Sequence, residues 1–204
     1  MPRPARILVV CTGNLCRSPM LAGALDLTLN ASRDEPLARV RSAGTSVEGL
    51  LEPNSRTAAV LAGFGSTAPV AAPRPLVARE IAEADLILVA GRKHRAAVAT
   101  LSPLGLRTVM TMLQATHILR LMLRRDEGAV VEPSSEALRS IITEMLMLRG
   151  HEPFVRPEDD EVLDPVGAEI ATFRASFAQM RPIVDNLQIL LGLPPRLATG
   201  GPFG

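Results

Sequence analysis

Cys11 and Arg17 stand at the two ends of Cys11-Thr12-Gly13-Asn14-Leu15-Cys16-Arg17, with Ser18-Pro19 directly after. A thiolate and a guanidinium at that spacing can divide the work of phosphoryl transfer. The sulfur attacks phosphorus in line, while the planar fork of the arginine holds two of the equatorial oxygens. The residues between them suit a loop that wraps an anion. Gly13 removes the steric penalty of a tight turn, and Asn14 is among the few side chains that tolerate a left-handed backbone. The backbone N–H groups of Thr12, Gly13, Asn14, Leu15, Cys16, Arg17 and Ser18 can then converge on a phosphate. The same positive field favours the thiolate over the thiol at Cys11. No Gly-Lys-Ser/Thr follows the glycine, so this is not a Walker loop. Without context, a cysteine and an arginine at this spacing also fit an inert buried thiol and a surface charge. The flanking elements decide between the two.

Ala5 to Val10 is a continuous apolar run with β-branched residues, the pattern of a buried parallel strand, and it ends at the loop. Ser18-Pro19 reads as a helix start, with Ser18 as the cap and Pro19 in the first helical position. Met20, Ala24 and Leu27 continue that helix to about Asn30. The loop therefore sits between a strand end and a helix N-terminus, where unpaired N–H groups point at an anion. Further strands are read at Leu37 to Ser42, Ala84 to Val89 and Leu106 to Thr111. Helices are read from Asn54 to Phe64, capped by Asn54, and from Arg92 to Leu101. Strands alternating with helices imply right-handed βαβ crossovers and an α/β fold whose sheet is covered on both faces. The last helix is the clearest. Ile170, Phe173, Phe177, Met180, Val184, Leu187 and Leu191 form one stripe, with Pro182 expected to kink or break it.

Between Leu113 and Val162 the periodicity loosens to one apolar helix through Leu138, Ile141, Ile142 and Met145, then an acidic loop from Glu152 to Leu163. Five methionines fall between Met110 and Met147; they read as core on extra helices, with an adaptable partner surface as the lesser alternative. Asp159, Asp160 and Glu161 read as a solvated loop face. His94, His117 and His151 also read as solvated, and their spacing suits no metal. Residues 1–193 read as a single domain with a helical insertion at about 113–162, and residues 194–204 as a loose tail.

Composition narrows the function classes. The 204 residues carry 47% apolar and 21% charged side chains and a net charge of +1. That balance offers no single-sign field to steer nucleic acid or a membrane surface. Two cysteines make no disulfide framework, and no apolar window reaches the length of a membrane span, so a cytoplasmic location is expected. The oligomeric state is not set by these features.

The string Cys11 to Pro19 resembles the signature of the low molecular weight protein tyrosine phosphatases, a fold shared with some arsenate reductases. The resemblance continues through Arg41-Ser42-Ala43-Gly44-Thr45, Ala84 to Leu88 with His94-Arg95, and Leu163-Asp164-Pro165 before the last helix. It implies a three-layer sandwich with a four-stranded parallel sheet flanked by helices and the phosphate loop after strand 1. It implies that Cys11 forms a phosphocysteine, that Arg17 binds the phosphoryl group, and that Asp164 protonates the leaving oxygen and then activates water. Asn14, Ser18 and Ser42 would form a hydrogen-bond network steadying the loop. No cofactor or metal is implied. The implied partner is a phosphotyrosine-containing protein, with a tyrosine kinase as its counterpart. A thiolate has no proton to give its leaving group, so a separate acid such as Asp164 fits the chemistry. Cys16 is either a small apolar filler or a redox partner that forms a reversible disulfide with oxidised Cys11.

The chain departs from the family's pattern at the rim. There is no Tyr or Trp, and Val166 follows the Asp-Pro pair where aromatics are usual. Val47, Leu50 and Leu51 line the loop after Thr45, and Leu21-Ala22 stands where a glutamate is common. Leu15 supplies an apolar wall, whereas phosphoarginine-selective members tend to carry threonine there. Two alternatives follow: an arsenate reductase using a small-thiol cofactor, since no cysteine follows Cys16, or a non-catalytic phosphate-binding regulator.

Overall fold

Every residue of Ala5–Cys11 except Arg6 is buried, as expected of a strand covered on both faces. The computed structural model describes residues 3–31, 33–49, 52–125, 132–151 and 156–194. In it, β1 (Ala5–Cys11), β2 (Ala38–Gly44), β3 (Leu86–Val89) and β4 (Val109–Thr111) form one parallel sheet in the order β2-β1-β3-β4. Among the described residues seven α-helices accompany it: α1 (Arg17–Asn30), α2 (Ser55–Gly63), α3 (Ala78–Glu83), α4 (Arg92–Leu101), α5 (Met112–Arg125), α6 (Ser135–Leu148) and α7 (Ile170–Leu190).

The two-residue period of β1 divides the core. Ile7, Val9 and Cys11 join the side chains of α1, α5 and α7, while Leu8 and Val10 meet Ile81 of α3 and Val98 of α4. Each large aliphatic side chain so enclosed contributes on the order of 1.5–3 kcal/mol. The result is a three-layer α/β sandwich that carries the C-terminal ends of β1 and β2 to the same edge, with Cys11 opposite Gly44.

Three elements differ from expectation. The fourth strand is only Val109–Thr111, because Pro103–Arg107 forms a 3-10 turn ahead of it. Helices α3 and α5 went unread. α3 has six residues and buries only Ile81, too little for a periodic signal. α5 starts as β4 ends and interrupts its stripe of Met112, Ala115, Ile118, Leu119 and Met122 with His117 and Arg120. Helix α7 runs through Pro182 without a break, since Met180, Ile183 and Val184 around it are all buried and packing outweighs one missing N–H.

Within 113–162, α5 packs on α7, and α6 packs on α5 and β1. Met110, Met112, Met122 and Met145 are buried and only Met147 of that group is exposed, so these methionines serve the core. Leu50, Leu51 and residues 195–204 lie outside the described residues.

Candidate active site

The loop after β1 is shaped before any ligand arrives. Asn14 takes the left-handed conformation, φ 54°, as its residue type allows. Two strand-end N–H groups hold the loop from behind: Thr45 N–H donates to the Cys11 carbonyl at 2.9 Å and Ser46 N–H to the Thr12 carbonyl at 3.0 Å. From α2, Thr57 Oγ1 donates to the Leu15 carbonyl at 2.8 Å.

Helix α1 begins at Arg17, with Cys16 as its N-cap and no side-chain cap. Ser18 therefore lies inside the helix and is not the cap that Ser-Pro implied. An uncapped start leaves the first-turn N–H groups available to the loop, which suits an anion. The Ser18 hydroxyl turns instead to the nucleophile. Its Oγ is 3.0 Å from Cys11 Sγ and accepts from Asn14 Nδ2 at 3.0 Å. With one acceptor position occupied by Asn14, the Ser18 proton can point at sulfur and stabilise a thiolate, the competing Ala43 carbonyl lying farther off at 3.5 Å. Asn14 is oriented from its other side, where Oδ1 accepts the Arg74 backbone N–H at 3.0 Å. The Gly44–Pro75 bridge brings Arg74 there. Ser42 does not join this network. It lines a cavity of about 250 Å³ with Pro19, Gly23 and Val70, and the Arg74 N–H takes the role expected of it.

Arg17 is 2% exposed. Its guanidinium reaches the acidic loop across the sheet edge. Nη2 donates to Asp164 Oδ2 at 2.5 Å, and Nη1 to the Val162 carbonyl at 3.2 Å and to Glu161 Oε1 at 3.3 Å. Nε is buried with no partner, a donor that a bound oxyanion can satisfy. Asp164 also accepts the Val166 N–H, at 3.3 Å, an Asx turn that holds the carboxyl at the mouth. Cys11, Arg17 and Asp164 are thus brought together around one loop, an arrangement of thiol, guanidinium and carboxyl that can perform phosphoryl transfer.

The family profile described as low molecular weight phosphotyrosine protein phosphatase matches residues 6–120. The chain belongs to that family. Among similar proteins is a protein-arginine-phosphatase of Geobacillus stearothermophilus, 29% identical over 184 residues that cover 90% of this chain and 94% of the relative. Another is the low molecular weight protein-tyrosine-phosphatase Etp of Escherichia coli K12. It is 41% identical over 99 residues, 48% of this chain and 62% of the relative. Among solved structures, a low molecular weight protein tyrosine phosphatase from Bacillus subtilis superposes with a TM-score of 0.62 at 21% identity. That match covers 92% of this chain and 97% of the other. Membership in the low molecular weight phosphatase family makes this a cysteine-dependent hydrolase.

Three side chains read as solvated are instead buried or paired beside this candidate site. Asp160 is buried, accepting Thr111 Oγ1 at 2.5 Å and Arg92 Nε at 2.9 Å. Glu161 bridges Arg17 and Lys93, the latter at 2.8 Å. Burial pushes its carboxyl up, but the Lys93 hydrogen bond and the charges of Lys93 and Arg17 outweigh this and hold it below the usual range. His94 is 1% exposed, with Nε2 2.9 Å from Thr12 Oγ1. Burial, then Arg17 and Lys93, lower it to about 4. His94 sits 82 positions from its partner and Glu161 sits 144 from Arg17, so no local spacing announced either. Asp159 and His117 are exposed as expected.

Cys16 is buried, and burial followed by the charges of Cys11 and Asp164 pushes its thiol up to about 12. Among the described residues no cluster of His, Cys, Asp or Glu is arranged to hold a metal, and no helix is long and apolar enough to cross a membrane.

Proposed function

We propose that this phosphatase hydrolyses phosphotyrosine in proteins through a phosphocysteine at Cys11. The observation that carries the reading is the pairing of Cys11 Sγ with Ser18 Oγ at 3.0 Å beneath an arginine that is itself 2.5 Å from Asp164. The Cys11 thiolate attacks phosphorus and the P–O bond to the leaving group breaks. Protonated Asp164 supplies that oxygen's proton, and the product alcohol departs. Asp164, now a carboxylate, takes a proton from water as the water oxygen attacks phosphorus. The P–S bond breaks, and the sulfur leaves as a thiolate again steadied by Ser18. Arg17 and the loop N–H groups hold the equatorial oxygens throughout. An incoming phosphate competes for the guanidinium that Asp164 now contacts, which turns the carboxyl toward the leaving oxygen.

Leu163 and Val166 flank Asp164 with 43% and 60% of their surface exposed. Leu15 lies partly buried within the loop. This aliphatic rim suits an aryl face without stacking on it. A second reading, phosphoarginine, draws support from the arginine-phosphatase relative and from the two carboxylates, Glu161 and Asp164, at the mouth. Glu161 is held by Lys93, which leaves Asp164 as the one carboxylate to face a guanidinium leaving group, and phosphotyrosine is the preferred reading. Phosphotyrosine and phosphoarginine peptides assayed side by side with an aryl phosphate decide between them. Cys11→Ser is expected to be inactive, and Asp164→Ala slowed roughly 10²–10⁴-fold. Activity surviving in Cys11→Ser refutes the phosphocysteine. Arsenate-dependent thiol oxidation without ester hydrolysis favours an arsenate reductase, and phosphate binding without turnover a regulator.

A further inference from the structure

We propose that the hydroxyl of Thr12 is a phosphate-contacting donor and that His94 is the positioning residue that aims its proton into the loop. The inference rests on the phosphate-loop reading above and adds to it a side-chain contact beyond the backbone cradle and Arg17.

The protons around one oxygen, Thr12 Oγ1, assign the roles. Thr12 Oγ1 lies 2.9 Å from His94 Nε2 and 3.5 Å from Arg17 Nη2. The guanidinium has only donors, so Arg17 gives a proton to this oxygen. The imidazole can sit either way. His94 is enclosed in the first turn of α4, and its second nitrogen, Nδ1, is buried beside the Gly91 carbonyl without a well-formed hydrogen bond. A proton on Nδ1 has only that poorly aligned contact, a costly state for a buried N–H. A proton on Nε2 leaves only a bare lone pair, which is better tolerated. The second tautomer is the favoured one, and it makes His94 a donor to Thr12 Oγ1.

Thr12 Oγ1 then receives two N–H groups, which fill its two lone-pair positions, and its own proton must go to a third atom. Among the described residues no further acceptor for that proton lies within reach. A phosphoryl oxygen gripped by Arg17 supplies one, next to the guanidinium that already touches Thr12. The two fixed donors set the direction of the O–H before the substrate binds, so ordering it costs little when the phosphate arrives. The imidazole stays neutral near pH 7, as its lowered proton affinity requires, so no additional charge opposes Arg17.

The test uses the full chain with inorganic phosphate as the probe, read by titration calorimetry and by competitive inhibition of aryl phosphate hydrolysis. Thr12→Val is expected to weaken phosphate binding about tenfold or more, the scale of one hydrogen bond to a charged group, and Thr12→Ser to restore it. His94→Phe is expected to weaken phosphate in the wild-type background but to add nothing in a Thr12→Val background, because the two act through one proton. Nitrogen NMR of the imidazole in the unmodified protein is expected to show a bare Nδ1. It decides the tautomer even if His94→Phe fails to fold. Thr12→Val binding phosphate as tightly as wild type overturns the proposal, as does a protonated Nδ1. Equal losses from His94→Phe in both backgrounds reduce His94 to a packing role and also overturn it. A wild-type protein that neither binds phosphate nor hydrolyses the ester sinks the functional reading itself, whereas an active wild type with an indifferent Thr12→Val sinks only this inference.

Discussion

Replacing His94 by glutamine removes a titrating group from the core while keeping a side-chain donor for Thr12, and the fold's acid sensitivity should change by a calculable amount. The groups facing the imidazole are Arg17 from α1, Lys93 from α4 and Glu161 from the acidic loop. Burial dominates, the two cations add to it and Glu161 partly offsets them, so the ring titrates at about 4 in the fold against 6.5 when unexposed to these effects. Between those pH values the unfolded chain binds a proton that the folded chain refuses. Stability from this group is therefore complete above pH 6.5 and is lost as pH falls. At about 1.4 kcal/mol per pH unit, the loss reaches about 2 kcal/mol by pH 5 and about 3 kcal/mol near pH 4. With no Trp or Tyr to report by fluorescence, urea unfolding followed by far-ultraviolet circular dichroism is the suitable assay, run on both proteins from pH 7.5 to 4.5. The carboxylates titrate in both, so the difference between the two curves isolates His94. The glutamine variant should lose less stability on acidification, and the gap should open below pH 6.5. Parallel curves throughout would refute the reasoning, since they would mean that the imidazole is not held neutral by its surroundings.

Gly44→Ala should distort the phosphate loop directly. A Cβ there would lie 2.5 Å from the Thr12 carbonyl oxygen and 3.0 Å from the Asn14 backbone nitrogen. A loss of about 1–3 kcal/mol from overpacking and about 10²-fold in kcat/KM from the displaced cradle is expected, measured by urea unfolding and steady-state kinetics. Asp160→Ala should loosen the acid loop by removing the partner of Thr111 and Arg92. Its rate deficit should be larger for an alkyl phosphate, which needs Asp164 to protonate the leaving oxygen, than for an activated aryl phosphate, which does not. Equal deficits for both substrates would place Asp160 outside the positioning of the acid. Cys16→Ser should recover less activity than wild type after peroxide treatment and thiol reduction if Cys16 captures oxidised Cys11; full recovery would leave it a core filler.

What could be read along the chain was what lies close along the chain. The Cys11–Arg17 loop, the left-handed Asn14 and the cap at Asn54 depend on neighbours within a few residues, and each of these residues sits as its type implies. Asp164 was legible from the Leu163-Asp164-Pro165 resemblance just ahead of the long last helix. Ser18-Pro19 misled for the opposite reason: the dipeptide has the form of a cap, but the helix starts two residues earlier, at Arg17, and the hydroxyl serves sulfur instead. Asp160, Glu161 and His94 went unread because charge and polarity imply solvent until a distant partner is known. Their partners, Thr111, Arg17 and Thr12, come from other strands and loops. Helix α5 was obscured by His117 and Arg120, which break the apolar rhythm on its solvent side.

The acidic loop is fastened to the sheet at two places: Val162 N–H donates to the Ala90 carbonyl at 2.8 Å, and Asp160 grips Thr111. Both anchors belong to the ends of β3 and β4, upstream of α5 and α6. The location of Asp164 is therefore set at the sheet and at α7, where Gln179 and Ser176 hold Leu163, rather than by the length of chain spooled out between β4 and the loop. A change of length in that stretch that spares these anchors should leave the Asp164 carboxylate beside Arg17.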